Sequence, residues 1–167
     1  MDVEDVLDTP AEAAPLWCPS GHGREAESVV LGVRSQDDGG LTYLAEPMPA
    51  AEALALVPAG IEPTRVLRFA SHCESGCAHR AGPECTLITK LRTLPPKAAD
   101  APLPHCHLRH HCKWWNQAGA DACGRCPAVA TTILSTETTV SRAADPSVTP
   151  EQLRAWIEAN PTGPPGC

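Results

Sequence analysis

The stretch His105–Pro127, HCHLRHHCKWWNQAGADACGRCP, carries four cysteines, four histidines and two adjacent tryptophans. Sulfur and imidazole at that density are the donors of a metal centre, because thiolates bind zinc and iron and imidazole suits both metals. Seven of the nine cysteines form one block. It reads Cys73-x3-Cys77-x7-Cys85, then, after twenty residues, Cys106-x5-Cys112-x10-Cys123-x2-Cys126-Pro127. A zinc or iron–sulfur site takes four ligands, and Cys106, Cys112, Cys123 and Cys126 supply four by themselves. Cys73, Cys77 and Cys85 supply three. Cys18, in LWCPSGH, or a histidine such as His72 or His79 would complete that group. A fourth position left open to water or substrate would instead make it catalytic. A simpler alternative uses four of the seven cysteines for one site and leaves three as buried thiols.

The spacing separates the metals. Zinc knuckles use two C-x2-C pairs, or one with paired histidines, and this chain has a single C-x2-C. Intervals of three, five, seven and ten residues are the irregular kind found around iron–sulfur clusters. Cys126-Pro127 matches the Cys-Pro that closes bacterial ferredoxin runs. One or two [4Fe-4S] clusters are therefore expected, with zinc as the alternative. His107 and His111 are four residues apart and share a helical face, but a polar helix face carries such residues without a ligand role. Trp114 and Trp115 are expected to pack over the site and exclude water.

Charge and compartment agree with this chemistry. Net charge is -7, yet residues 71–130 hold seven basic residues against four acidic ones, leaving the remainder at -10. Basic side chains beside thiolates offset their charge. They are too scattered to form a nucleic-acid patch, and the acidic remainder repels phosphate, so nucleic acid is not an expected partner. The opening MDVEDVLDTP lacks the basic and apolar regions of a secretory leader. No apolar run reaches the ~20 residues that span a membrane. The expected location is the cytoplasm, where disulfides rarely persist.

The elements that must position these residues are short. With 18 prolines and 12 glycines in 167 residues, long regular segments are not expected. One Phe and one Tyr leave a modest core of Leu, Val and Ala, the kind of chain that needs a staple. Residues 28–34 and 41–46 read as a β-hairpin around SQDDGG. Residues 49–57 suit a short helix starting near Pro49, and 63–70 a third strand leading to Cys73. Leu87, Ile88, Leu91 and Leu94 share one face of a helix over 84–94 that Pro95 and Pro96 stop. Residues 106–119 read as a helix ended by Gly119, with Cys106 at its entrance and Cys112 reaching back from the second turn. Residues Cys123–Cys126 read as a tight turn that closes the site. The Thr-rich run 128–141 suits a strand or extended arm. The last helix spans 149–160, with Thr149 and Gln152 forming a capping box and Pro150 at N1. The expected class is α+β: a flexible tail (1–15), a β-rich part (16–70), a cysteine-rich metal region (71–130), and an arm with a C-terminal helix (131–167).

The segments RFASHCESGCAHRAGPECTLITKL and CHLRHHCKWWNQAGADACGRCPAVATT resemble a group of small bacterial cysteine-rich iron–sulfur proteins. The shared pattern is C-x3-C-x7-C after an Arg-Phe strand, then a Cys-x-Leu-Arg-x-x-Cys-basic-Trp segment and a closing C-x-x-C-P. It covers about residues 67–132 and implies that the seven cysteines are cluster ligands, with no defined reaction. The C-x3-C-x2-C of radical-SAM enzymes is absent, as is the third downstream cysteine of WhiB-type regulators.

Three functions follow as expectations. The first is electron transfer or redox sensing with a partner protein. The second is an iron–sulfur enzyme acting on a small-molecule substrate at an open iron of the Cys73/Cys77/Cys85 site. The third is a zinc-stapled interaction module.

Overall fold

The computed structural model describes residues 14–35, 37, 40–94, 100–129, 131 and 139–161. The expected tail (apart from its last residues), the Pro95-Pro96 stop, most of the Thr-rich run and Cys167 lie outside them. The protein is α+β, built on a four-stranded antiparallel sheet. Its strands are β1 (Trp17–Gly21), β2 (Val29–Arg34), β3 (Leu41–Pro49) and β4 (Leu67–His72), in the order β1-β4-β2-β3. The β2–β3 hairpin falls where expected, closed by a Ser35 N–H to Gly40 carbonyl bond of 2.9 Å. At Gly32 the register slips against both neighbours, and a Cβ there would meet the Thr42 carbonyl oxygen at 2.5 Å. Glycine is what lets the backbones close at that bulge.

The sheet is covered on both faces, which is why SVVLGVR reads as a continuous apolar run. On one face Val30 and Phe69 pack with Ala50 and Ala53 of α1 (Ala50–Leu54). On the other, Leu31 and Ala70 join Trp114, Cys112, Ile88, Leu91 and Leu153 in a larger core. Pro63–Val66, expected as strand, form the helical turn α2, because Pro63 at N1 follows an extended Glu62. The strand starts only at Leu67.

A small hairpin, β5 (Arg80–Ala81) and β6 (Glu84–Cys85), was not foreseen; it pairs Arg80 with Cys85. It leads into α3 (Thr86–Leu91), whose Leu87, Ile88 and Leu91 are buried as the periodicity requires. The expected helix over 106–119 breaks in two. Arg109–His111 form a 3-10 turn, Cys112 is extended (φ -77°, ψ 130°), and α4 runs from Lys113 to Ala118. The histidine-rich half has weak helix propensity, and the extended Cys112 makes a parallel bridge to Trp17 at the sheet edge. Gly119, at φ 59°, ends α4 as expected and opens α5 (Ala120–Arg125). Cys123–Cys126 are helical, not a tight turn, and Cys126–Ala128 continue as a 3-10 turn.

The described end of the Thr-rich run is helix α6 (Thr139–Ala144), not strand. Helix α7 (Pro150–Ala159) carries the expected capping box: Thr149 Oγ1 accepts from Gln152 N–H, and Gln152 Oε1 accepts from Thr149 N–H. Leu153 anchors it in the core at 0% exposure. Among the described residues no helix is long and apolar enough to cross a membrane.

Candidate metal centre

The sheet and the small hairpin together build the first site. Pairing of β1 with β4 sets Cys18 opposite Ser71 and Trp17 opposite His72, and Cys73 N–H donates to the Leu16 carbonyl at 2.8 Å. The chain then turns back through Arg80 N–H to Cys77 carbonyl (2.9 Å) and Thr86 N–H to His79 carbonyl (2.7 Å). These bonds bring Cys73, Cys77 and Cys85 around one cavity of about 290 Å³, and Cys18 lines it too. Cys77 is exposed; Cys18, Cys73 and Cys85 are half-buried.

The second site lies in the helical layer. Cys106, Cys112, Cys123 and Cys126 line a narrow, mostly apolar space of about 20 Å³ with Leu31, Tyr43 and Leu108. Cys123 and Cys126 are three apart and meet there because they are helical. Cys112, not Cys106, takes the helix entrance, as the residue preceding Lys113 of α4. Cys106 sits in the loop before the 3-10 turn. The indole of Trp114 belongs to the wall of both spaces.

The surroundings of the sulfurs follow one rule. Cys85 faces the backbone N–H groups of Leu87 and Ile88, Cys106 those of Leu108 and Arg109, and Cys112 those of Trp114 and Trp115. Each pair lies two and three residues downstream of its cysteine. Cys18 faces the N–H of Ser20 in the same way. Such donors favour the thiolate over the thiol. Burial acts the other way and is stronger: it pushes Cys18 and Cys112 up to about 12, and raises Cys85, Cys106 and Cys123 as well. Thiols whose ionisation is disfavoured by burial yet aided by aimed N–H groups suit a bound cation that supplies the missing charge.

Cations are close at hand. Arg68 is 1% exposed and lies between the two sites. It donates to the carbonyls of Pro19, Cys126 (2.9 Å) and Val129 (2.8 Å), and its Nη2 is 3.6 Å from Cys126 Sγ. Its guanidinium also lies 5.8 Å from the Trp114 ring. Of the basic residues in the block, Arg80 Nη1 reaches Cys73 Sγ at 3.8 Å, and Arg109 bonds the Cys123 side chain. Arg92 and Arg125 pair instead with Asp121. Sequence reasoning passed over Arg68, whose one signal is a charge between Leu67 and Phe69 in a buried strand.

His107, expected on a polar helix face, is half-buried, and its Nε2 is buried without a hydrogen-bond partner among the described residues. His110 and His111 are exposed and line neither space, whereas His72 and His79 line the first. Nε1 of Trp114 is buried without a hydrogen-bond partner among the described residues. It lies beside the Cys85 sulfur, whose ionised form it favours. A buried N–H beside a cysteine sulfur, in the wall between two sulfur-lined spaces, fits a cluster, whose sulfurs accept such bonds.

Among the described residues no three His, Cys, Asp or Glu side chains converge as ligands of a single metal ion. Four thiolates about one zinc would stand roughly 3.8 Å apart, given the ~2.3 Å Zn–S bond. No protein-family model, curated protein or solved structure matches the chain.

Proposed function

We propose that the protein binds [4Fe-4S] clusters, one at each cysteine group, and acts in electron transfer or redox sensing with a partner protein. The observation that carries this reading is the partition of the cysteines. Two sulfur-lined spaces share the Trp114 wall, and sulfurs in both face backbone N–H groups two or three residues downstream. Kinship with small bacterial cysteine-rich iron–sulfur proteins is part of the proposal. The eight described cysteines are free thiols, which suits a reducing cytoplasm.

A cluster held there supplies one-electron chemistry at a potential set by charge, hydrogen bonds to sulfur and burial. Each electron such a cluster took up would add negative charge in a poorly solvated place. Arg68, Arg80, Arg109 and the aimed amides would offset it, and Trp114 would keep water from the inner side. The exposed Cys77 edge gives a partner its approach, while the buried Cys112 and Cys126 sit farther from solvent.

A second reading has one observation in its favour. The space at Cys106, Cys112, Cys123 and Cys126 is narrow, and a single zinc needs less room than four irons. Anaerobic purification with metal and sulfide analysis separates the two. Brown protein with matched iron and acid-labile sulfide supports clusters; colourless protein with zinc overturns them. Cys112→Ala or Cys126→Ala should remove the second-site absorbance and its iron, and retention of full iron would refute that ligand set.

A further inference from the structure

The sequence block leaves the first group one ligand short, and β1 brings a cysteine to it from far upstream. We propose that Cys18 is the fourth thiolate ligand of the first site, so that every iron held there is bound by protein sulfur and none is open to substrate. This rests on the iron–sulfur reading above.

Three observations place Cys18 in this role. The first is register. β1 pairs with β4, Cys18 opposes Ser71, and the Cys73 N–H bond to Leu16 fixes the two strands where both cysteines border one cavity. The pairing slips between Cys18 and Gly21, and bulges of this kind re-aim side chains next to functional sites. The second is the sulfur's surroundings. Cys18 is followed by Pro19, which has no N–H, so the first available amide is that of Ser20, and this is the one that faces its sulfur. The same relation holds at Cys85, Cys106 and Cys112. Arg68 holds the Pro19 carbonyl and so fixes the peptide on the far side of Cys18.

The third is the competition. His72 borders the cavity, but its Nδ1 lies 3.8 Å from Glu27 Oε1 and its ring meets Trp17 edge-on at 4.5 Å. His79 borders it as well, but its imidazole faces the backbone carbonyl of Ala144. Four thiolates close the coordination of a cluster without either imidazole. A fully thiolate-bound cluster exchanges electrons and offers no Lewis-acid position, so the Cys18 thiolate also decides between the electron-transfer and enzyme readings.

The test compares wild type, Cys18→Ala and His79→Ala, all purified without oxygen. Iron, acid-labile sulfide and the EPR spectrum of the reduced protein are measured, and circular dichroism monitors the fold. His79→Ala should match wild type. Cys18→Ala should keep the second-site signal while first-site iron falls, roughly halving total iron if each site holds one cluster. Added 2-mercaptoethanol should then shift the spectrum of Cys18→Ala and leave that of wild type unchanged. A Cys18→Ala protein with wild-type iron, sulfide and spectrum would overturn the assignment, and so would loss of the first-site signal in His79→Ala. Should Cys18→Ala fail to fold, wild type alone still decides. A spectrum shifted by cyanide or by the added thiol reveals an open iron and overturns the proposal; an unshifted one supports it. Wild-type protein without iron and sulfide is a separate result, which overturns the iron–sulfur reading itself.

Discussion

Arg68 is the residue on which the electrostatics of both sites turn. A fully buried guanidinium needs acceptors for its donors, and it finds three carbonyls, a sulfur and an aromatic face. Arg68→Met would leave buried carbonyls without donors, at about 1–3 kcal/mol each where no relaxation occurs. It would also remove a positive charge beside Cys126. A lower midpoint potential of the second site is expected, together with a lower urea midpoint. Arg68→Lys should recover much of the potential and little of the stability, because it keeps the charge and loses the planar fork. A redox titration in which both variants match wild type would show that Arg68 does not act on the site.

At the scale of elements, Lys90 of α3 joins the cysteine region to the C-terminal helices. Its residue is 0% exposed, and Nζ donates to the carbonyls of Asp145 (2.6 Å) and Val148 (3.0 Å), between α6 and α7. Lys90→Met fills a similar volume but leaves those carbonyls unpaired, so a loss of about 2–4 kcal/mol is expected in urea unfolding. Leu153 and Trp156 should then become more exposed to quenchers and proteases. What the sequence announces at this scale follows from local chemistry. The α7 capping box, the Gly119 stop and the apolar face of α3 each depend on residues a few positions apart. Where long-range packing decides, the sequence is silent. The break at Cys112 follows from its bridge to Trp17, ninety-five residues upstream. The burial of Arg68 depends on carbonyls near Cys18 and Cys126, both far away in the chain. The compact spacing of the seven block cysteines made them candidates from the sequence, and Cys18 was a candidate beside His72 and His79; that strand pairing sets Cys18 at the same cavity is visible only in the fold.

For the whole molecule, the buried thiols tie stability to pH. Cys18 and Cys112 ionise at about 12 in the folded chain, against an ordinary value of 9.0. Below that ordinary value both states are neutral and the fold keeps its full stability. Above it the unfolded chain ionises first, so stability falls progressively between about pH 9 and 12. Metal-free protein should therefore show a melting temperature that declines across this window. Loaded protein should decline less, because its sulfurs are already deprotonated and held by metal. A flat melting profile for the metal-free protein would show that these thiols are not buried in solution.

The contacts of Arg68 also bear on how the molecule is filled. One side chain grips the Pro19–Ser20 peptide and the Cys126 carbonyl, so ordering either cysteine group holds the other in place. The entropy of fixing that shared frame is lost once, whichever site is occupied first. The second loading then meets a binding surface already set. On the iron–sulfur reading proposed above, filling one site is expected to favour filling the other in the wild-type chain.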